Sequence, residues 1–263
     1  MSDEFVSHGI VLDDEGMAQA LDVLKVGAAE LWSVLSVETS GVGFFSDRRP
    51  KILYEQHVFS RLTAHKFDAS NPDISNPKAG NYGATGSHQY DRLLAAMKLN
   101  REVALQSASW GVGQTMGFNF ADTGASSVED MVERMTRAEN DQLLCTATQM
   151  AKNGSINALR ARDWTNFARN YNGPNFAVNN YDARLRAAFN SFSFGGTPDL
   201  KVRAAQNYLI YLGYFPGTVD GILGKRTRDA MNLFQAKEAM PETMTLDDGT
   251  LERLILRVNA LPL

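Results

Sequence analysis

One cysteine, four histidines and no long apolar run leave this chain short of the residues on which several kinds of protein depend. The single thiol, Cys145, has no partner for an intrachain disulfide. Its helix-like neighbours Leu143, Leu144 and Ala147 suit a buried, inert side chain better than a nucleophile. His8, His57, His65 and His88 are scattered and form no HExxH pair, so a zinc amidase or peptidase would lack its ligands. A glycine-rich phosphate loop is also missing, and no metal or other cofactor is expected. No apolar stretch approaches the roughly 18 residues needed to span a bilayer, so no membrane insertion is expected. Met1 to Asp14 has neither a basic n-region nor an apolar h-region, and no secretory signal peptide is expected. Positive charge is scarce too. The 26 Lys and Arg against 30 Asp and Glu leave a net charge of -4, which disfavours nucleic acid and anionic membranes as partners.

What the chain does have is apolar material for a core, at 44% of its 263 residues, and a length that suits one large domain or two smaller ones. Periodicity is helical from Asp14 to Glu38, through Met17, Leu21, Leu24, Leu31, Trp32 and Leu35. Gly41 and Gly43 break it. Lys51 to Tyr54 reads as a short strand and Glu55 to Leu62 as a helix. Asp68 to Ser87 is a loop rich in Asn, Pro, Gly and Ser, of a length that often lines or caps a cleft. Beyond it nearly everything to Phe192 reads as helix, including Val103 to Ser109. A single long element is expected from a cap at Ser127 and Asp130 to about Asn153, followed by Asp163 to Tyr171 and Tyr181 to Phe192. Ser193 to Asp199, with Gly195, Gly196 and Pro198, reads as a linker. The expected division is a domain over residues 1–192, a linker over 193–199 and a small domain over 200–263.

The small domain carries Val202, Gln206, Leu209, Leu212-Gly213-Tyr214, Gly217, Asp220-Gly221, Gly224, Thr227, Ala230 and Phe234-Gln235. This is helix, glycine-rich turn and helix, with a third helix from about Leu246 to Val258. The pattern resembles the three-helix peptidoglycan-binding domain of cell-wall hydrolases. Gln206, Asp220 and Gly221 read as makers of that fold. About sixty residues without an acidic cluster suit binding, not catalysis.

In the large domain, Glu38 ends the apolar run Leu31 to Val37 just before Gly41. An apolar setting and the negative end of a helix dipole both push a carboxyl pKa upward, which general acid cleavage of a glycosidic bond requires. The same position also suits a solvated glutamate, and the segment alone does not choose. Two further segments bear on it: Trp110-Gly111-Val112-Gly113-Gln114, and Phe167-Ala168-Arg169-Asn170-Tyr171-Asn172-Gly173. With Val37-Glu38-Thr39-Ser40-Gly41 they resemble the three signatures of the goose-type lysozyme and lytic transglycosylase superfamily. Arg49 to Phe59 together with Trp110 to Gln114 resembles the N-acetylmuramidase domain of phage endolysins.

The resemblance implies a mainly α architecture, a lysozyme-like helical domain with a small β-hairpin followed by a three-helix bundle. It implies Glu38 as general acid, with Gln114, Tyr171, Asn172 and Trp110 along the sugar cleft and Tyr171 hydrogen-bonded to Glu38. Trp110 and Tyr171 fit core positions equally well. For a second carboxylate, Asp47 and Glu55 are candidates. Glu55 is favoured, although it could instead pair with Arg48 or Arg49 or cap the helix beginning there. The expected partner is bacterial peptidoglycan, cleaved by a monomer that stays in the host cytoplasm until a separate membrane-permeabilising protein releases it. A lytic transglycosylase and a non-catalytic wall-binding virion protein are the alternatives.

Overall fold

The computed structural model describes residues 4–173 and 176–263. Helix α1 (Asp14–Leu24) begins where the Asp13 carboxylate accepts from the Gly16 N–H, and ends at Lys25, whose φ of 52° cannot continue it. The run to Glu38 is therefore two helices, the second being α2 (Ala28–Thr39). Apolar residues surround α2, and Leu31, Trp32, Val34, Leu35 and Val37 are all buried, as a helix apolar on every side must be.

Strand β1 (Ile52–Tyr54) leads directly into α3 (Gln56–Leu62). The long loop that follows has no regular helix or strand until a short 3-10 turn at Gly86–His88. Then come α4 (Gln89–Met97), α5 (Arg101–Gln106), β2 (Ala108–Trp110) and β3 (Thr115–Met116). The helix expected over Val103 to Ser109 ends at Gln106 because Ala108 to Trp110 pair instead with β1, Leu53 opposite Ser109. The expected hairpin is thus part of a three-stranded antiparallel sheet in the order β1-β2-β3.

The cap at Ser127 starts α6 (Val128–Arg137), with its hydroxyl accepting from the Asp130 N–H at 3.1 Å. The single long helix expected there is broken at Ala138. That residue is extended (φ -159°, ψ 154°) and bridges to Ile10, whose carbonyl accepts from the Glu139 N–H at 2.8 Å. Helix α7 (Glu139–Lys152) resumes beyond this junction. It runs between the two cores of the large domain, with Leu143, Ala147 and Met150 in one and Cys145 in the other. The first core joins α1, α2 and α7 to α8 (Ser155–Arg160), α9 (Trp164–Asn172) and α10 (Tyr181–Gly195). The second joins the sheet to α3, α4, α5 and α6.

Helix α10 extends to Gly195, three residues into the stretch expected to be linker. The small domain is α11 (Leu200–Tyr211), α12 (Lys225–Lys237) and α13 (Asp248–Asn259) around Leu209, Phe234, Leu254 and Val258. Gln206 organises its turn. Its amide nitrogen donates to Asp220, Ile222 and Thr227, and its oxygen accepts from the Asp220 and Gly221 N–H groups. Gly221 has φ +71°, and a Cβ there would lie 2.6 Å from the Asp199 nitrogen, so only glycine fits.

The two domains are docked, not loosely strung. Val11, from the segment ahead of α1, sits in the core of the small domain. Arg203 of α11 is 1% exposed and reaches into the large domain. It meets Glu139 there, itself fully buried, with Nη2 donating to Oε1 at 2.9 Å.

Candidate active site

Glu38 lies in the last turn of α2 and is partly buried. The helix closes just beyond it, as the Ser40 N–H donates to Ser36 at 3.2 Å and the Gly41 N–H to Leu35 at 3.0 Å. Gly41 has φ +72°, and a Cβ on it would meet the Trp32 ring at 3.0 Å. The Lys51 ammonium donates to the Thr39 carbonyl at 2.9 Å, a cation at the negative end of the helix. Burial pulls the Lys51 pKa down.

Two other segments meet this helix end. The Thr39 hydroxyl donates to the Val112 carbonyl at 2.8 Å, tying α2 to the turn between β2 and β3. The Tyr171 hydroxyl, from α9, donates to the Gly113 carbonyl of the same turn at 2.6 Å. The Tyr171 proton therefore goes to Gly113, not to Glu38 as expected; it is Tyr181 of α10 that donates to Glu38 Oε2, at 3.4 Å. Burial and the nearby Glu38 charge raise the Tyr181 pKa to about 12 and that of Tyr171 well above its ordinary value. Both phenols stay protonated as donors. Arg184 of α10 donates to the Val37 carbonyl at 3.1 Å.

The remaining expected site residues divide. Gln114, at φ +50°, has both ends of its amide engaged by the sheet and the turn, its nitrogen also donating to the Lys51 carbonyl at 3.3 Å. Its oxygen accepts from Ser109 at 2.8 Å and its nitrogen donates to Gly111 at 2.9 Å. Trp110 is corrected outright. It is fully buried with its indole N–H on the Leu105 carbonyl at 3.1 Å, so it is a core residue that no sugar can reach. The side chain of Asn172 lies outside the described residues. Asp47 is held by Arg49 through two side-chain hydrogen bonds, at 2.9 and 2.6 Å.

Glu55 occupies the N-cap of α3 but makes no capping hydrogen bond, and neither Arg48 nor Arg49 is its partner. Those two expectations fail because Arg49 turns to Asp47 and Arg48 to the Pro262 carbonyl. The Tyr82 hydroxyl from the long loop faces Glu55 instead and lowers its pKa, as does the nearby Arg92 cation. Burial nonetheless drives the Glu55 pKa up to about 7. His57 Nδ1 stands 3.1 Å from Glu55 Oε2 but off the hydrogen-bonding direction, which leaves both buried atoms without a hydrogen bond. Burial and Arg61 lower the His57 pKa. It is Lys51, at the start of the strand, that touches α2. Glu55 comes four residues later, about 13 Å along an extended chain.

Tyr181, Lys51, Tyr82 and Arg92 carried no mark in the sequence as site residues. Lys51 alone lay within a family-like segment, where it reads as strand.

Helical lobes around a small sheet, with a partly buried glutamate ending the innermost helix, make this a lysozyme-like protein. Residues 27–193 match the N-acetylmuramidase family model, and residues 198–254 that of a putative peptidoglycan binding domain. Among solved structures the chain resembles a Burkholderia AP3 phage endolysin. The two share 37% identity and a TM-score of 0.63 over 71% of this chain and 72% of that one. No curated protein matches it. The chain belongs to the N-acetylmuramidase family: it is a glycoside hydrolase of peptidoglycan with a peptidoglycan-binding module attached.

Proposed function

We propose that this protein is a phage endolysin that cleaves the β-1,4 bond between N-acetylmuramic acid and N-acetylglucosamine and so lyses the bacterial host. One observation carries the site: segments ending at Glu38, Gly113 and Tyr171, far apart in sequence, are hydrogen-bonded to one another at the end of α2. In this reading Glu38, protonated, delivers its proton to the leaving glycosidic oxygen. Tyr181 orients it. Glu55, whose pKa near 7 matches a neutral-pH base, activates water or steadies positive charge on the sugar. Gln114 and Tyr171 support the cleft through the turn they brace, and Asn172 contacts sugar.

The catalytic part ends with α10 and the binding part begins with α11. The enzyme acts as a monomer and reaches the wall through membrane holes made by another protein. No helix among the described residues is long and apolar enough to cross a membrane. The wall-binding groove is formed by Tyr214, Phe215, Pro216, Gly217 and Arg226, with Ser46 of the large domain at its edge. Phe215 is 90% exposed there, an aromatic face open to a glycan.

Glu38→Gln tests the assignment. Wall lysis should fall by roughly 10²–10⁴-fold or more while folding and sacculus binding persist. Near-normal lysis would remove Glu38 from the role. Mass spectrometry of wild-type digests should find reducing muramic ends, and 1,6-anhydro ends would mark a transglycosylase instead.

A further inference from the structure

We propose that Arg203, a residue of the wall-binding module, is a positioning residue for catalysis, holding the end of the Glu38 helix from the neighbouring domain. The proposal rests on reading Glu38 as the acid. Arg203 sits in the first turn of α11, yet its side chain leaves its own domain and ends almost fully buried in the other. Nε donates to the Gly41 carbonyl at 3.0 Å, and Nη2 donates to the same oxygen. The guanidinium also lies 5.8 Å from the centre of the Trp32 ring. Trp32 is one of the buried residues of α2, and Gly41 is the residue whose N–H closes that helix. Arg203 thus grips the Glu38 helix on its side and at its end.

Glu139 completes the clamp. Its carboxylate accepts from Gly43 at 2.6 Å, from Leu12 at 2.7 Å and from Arg203. The loop after Glu38 is therefore fixed at three successive points, Thr39 by Lys51, Gly41 by Arg203 and Gly43 by Glu139. Two of these holds come from the large domain itself; the middle one comes from the module. A surface ion pair would suffice to dock two domains. Here the cation bypasses the surface and spends two N–H groups on one main-chain carbonyl at the end of the catalytic helix, where the helix dipole favours positive charge. Where the last turn of α2 stops decides where the Glu38 carboxyl stands relative to the scissile oxygen, and such placement errors of about 1 Å can cost 10²-fold in rate. The module is then part of the catalytic unit as well as a tether.

Arg203→Met alone would strand Glu139 as a lone buried charge and unfold the protein for an unrelated reason. The test is the full-length double variant Arg203→Met/Glu139→Gln, which removes both charges and keeps an acceptor for one of the two backbone N–H groups, Gly43 or Leu12. Soluble glycan strands released from peptidoglycan serve as substrate, so wall targeting plays no part. The expected result is a lowered melting temperature with the protein still folded at the assay temperature, sacculus binding near that of wild type, and kcat lowered about 10-fold or more with KM little changed. Arg203→Lys provides a second route that keeps the charge opposite Glu139 but cannot present two N–H groups to Gly41. Its kcat should fall between the other two. Wild-type kcat in either folded variant, or a loss confined to KM, overturns the proposal. Glu38→Gln in the same assay separates the two claims. If that variant is active, the reading of Glu38 falls and the positioning role with it; if it is inactive while the Arg203 variants are unimpaired, only the positioning role falls.

Discussion

At the scale of single residues, Glu55 is the group whose protonation the fold alters most usefully. The folded protein keeps its proton up to about pH 7, whereas an unfolded chain releases it near pH ~4.3. Between those values the folded state binds more protons, so this group's stabilising contribution is full below the lower pKa and is lost as pH rises through 7. Glu55→Gln cannot titrate and should gain on wild type by about 2 kcal/mol between pH 5 and pH 8. Denaturant unfolding at the two pH values measures this, and parallel stability curves would contradict a raised pKa. The same variant should lose most of its rate near neutral pH if Glu55 activates water. Arg48 and Arg49 have no part in either effect, because both are engaged elsewhere.

At the scale of elements, the turn between β2 and β3 explains why Trp110 and Gly113, so close in sequence, face different tasks. Trp110 points into the core beside Phe5 while Gly113 offers its carbonyl to Tyr171. Trp110→Ala should therefore cost about 3–5 kcal/mol of stability and leave the KM of the remaining folded enzyme unchanged. A raised KM at unchanged stability would put the ring in the glycan's path. Helices and the three-helix module were legible from apolar spacing and glycine punctuation, since both follow from local chain geometry. Glu38 stood out as a candidate only through the family-like segments around it, because the end of an apolar run suits a solvated glutamate equally well. The break at Ala138 was not, because its cause is Ile10, more than a hundred residues away, and no local pattern encodes that pairing. The partners of Glu38 and Glu55 were hidden for the same reason. Tyr181 and Tyr82 are ordinary tyrosines until the fold brings them to a carboxylate.

At the scale of the whole molecule, the proposed function has two surfaces address one polymer, the end of α2 at Glu38 and the groove beside Phe215. Phe215→Ala should weaken binding to intact sacculi by about 10-fold, the effect of losing roughly 1.4 kcal/mol at one contact. The kcat of that variant on soluble glycan strands should equal that of wild type, since the ring is 90% exposed and makes none of the hydrogen bonds that hold α2. Co-sedimentation with sacculi measures the first and reducing-end release the second. Unimpaired sedimentation would move the wall contact to another face of the module.

Contacts between parts of the chain far apart in sequence also set when this fold can close. Ile10 pairs with Ala138, Leu12 donates to Glu139 at a separation of 127 residues, and Arg48 donates to Pro262 at a separation of 214. Synthesis proceeds from the N-terminus, so Ile10 and Leu12 wait for Ala138 and Glu139, and Gly41 and Arg48 wait for the small domain, before these contacts can close. Such distant closures slow folding, because the loop between them must be ordered first. A nascent chain, or one cut short before α11, lacks Arg203 and with it the hold on the Gly41 carbonyl. On the proposal that Arg203 places the acid, full activity waits until α11 has been made and docked, a delay written into the chain's own connectivity.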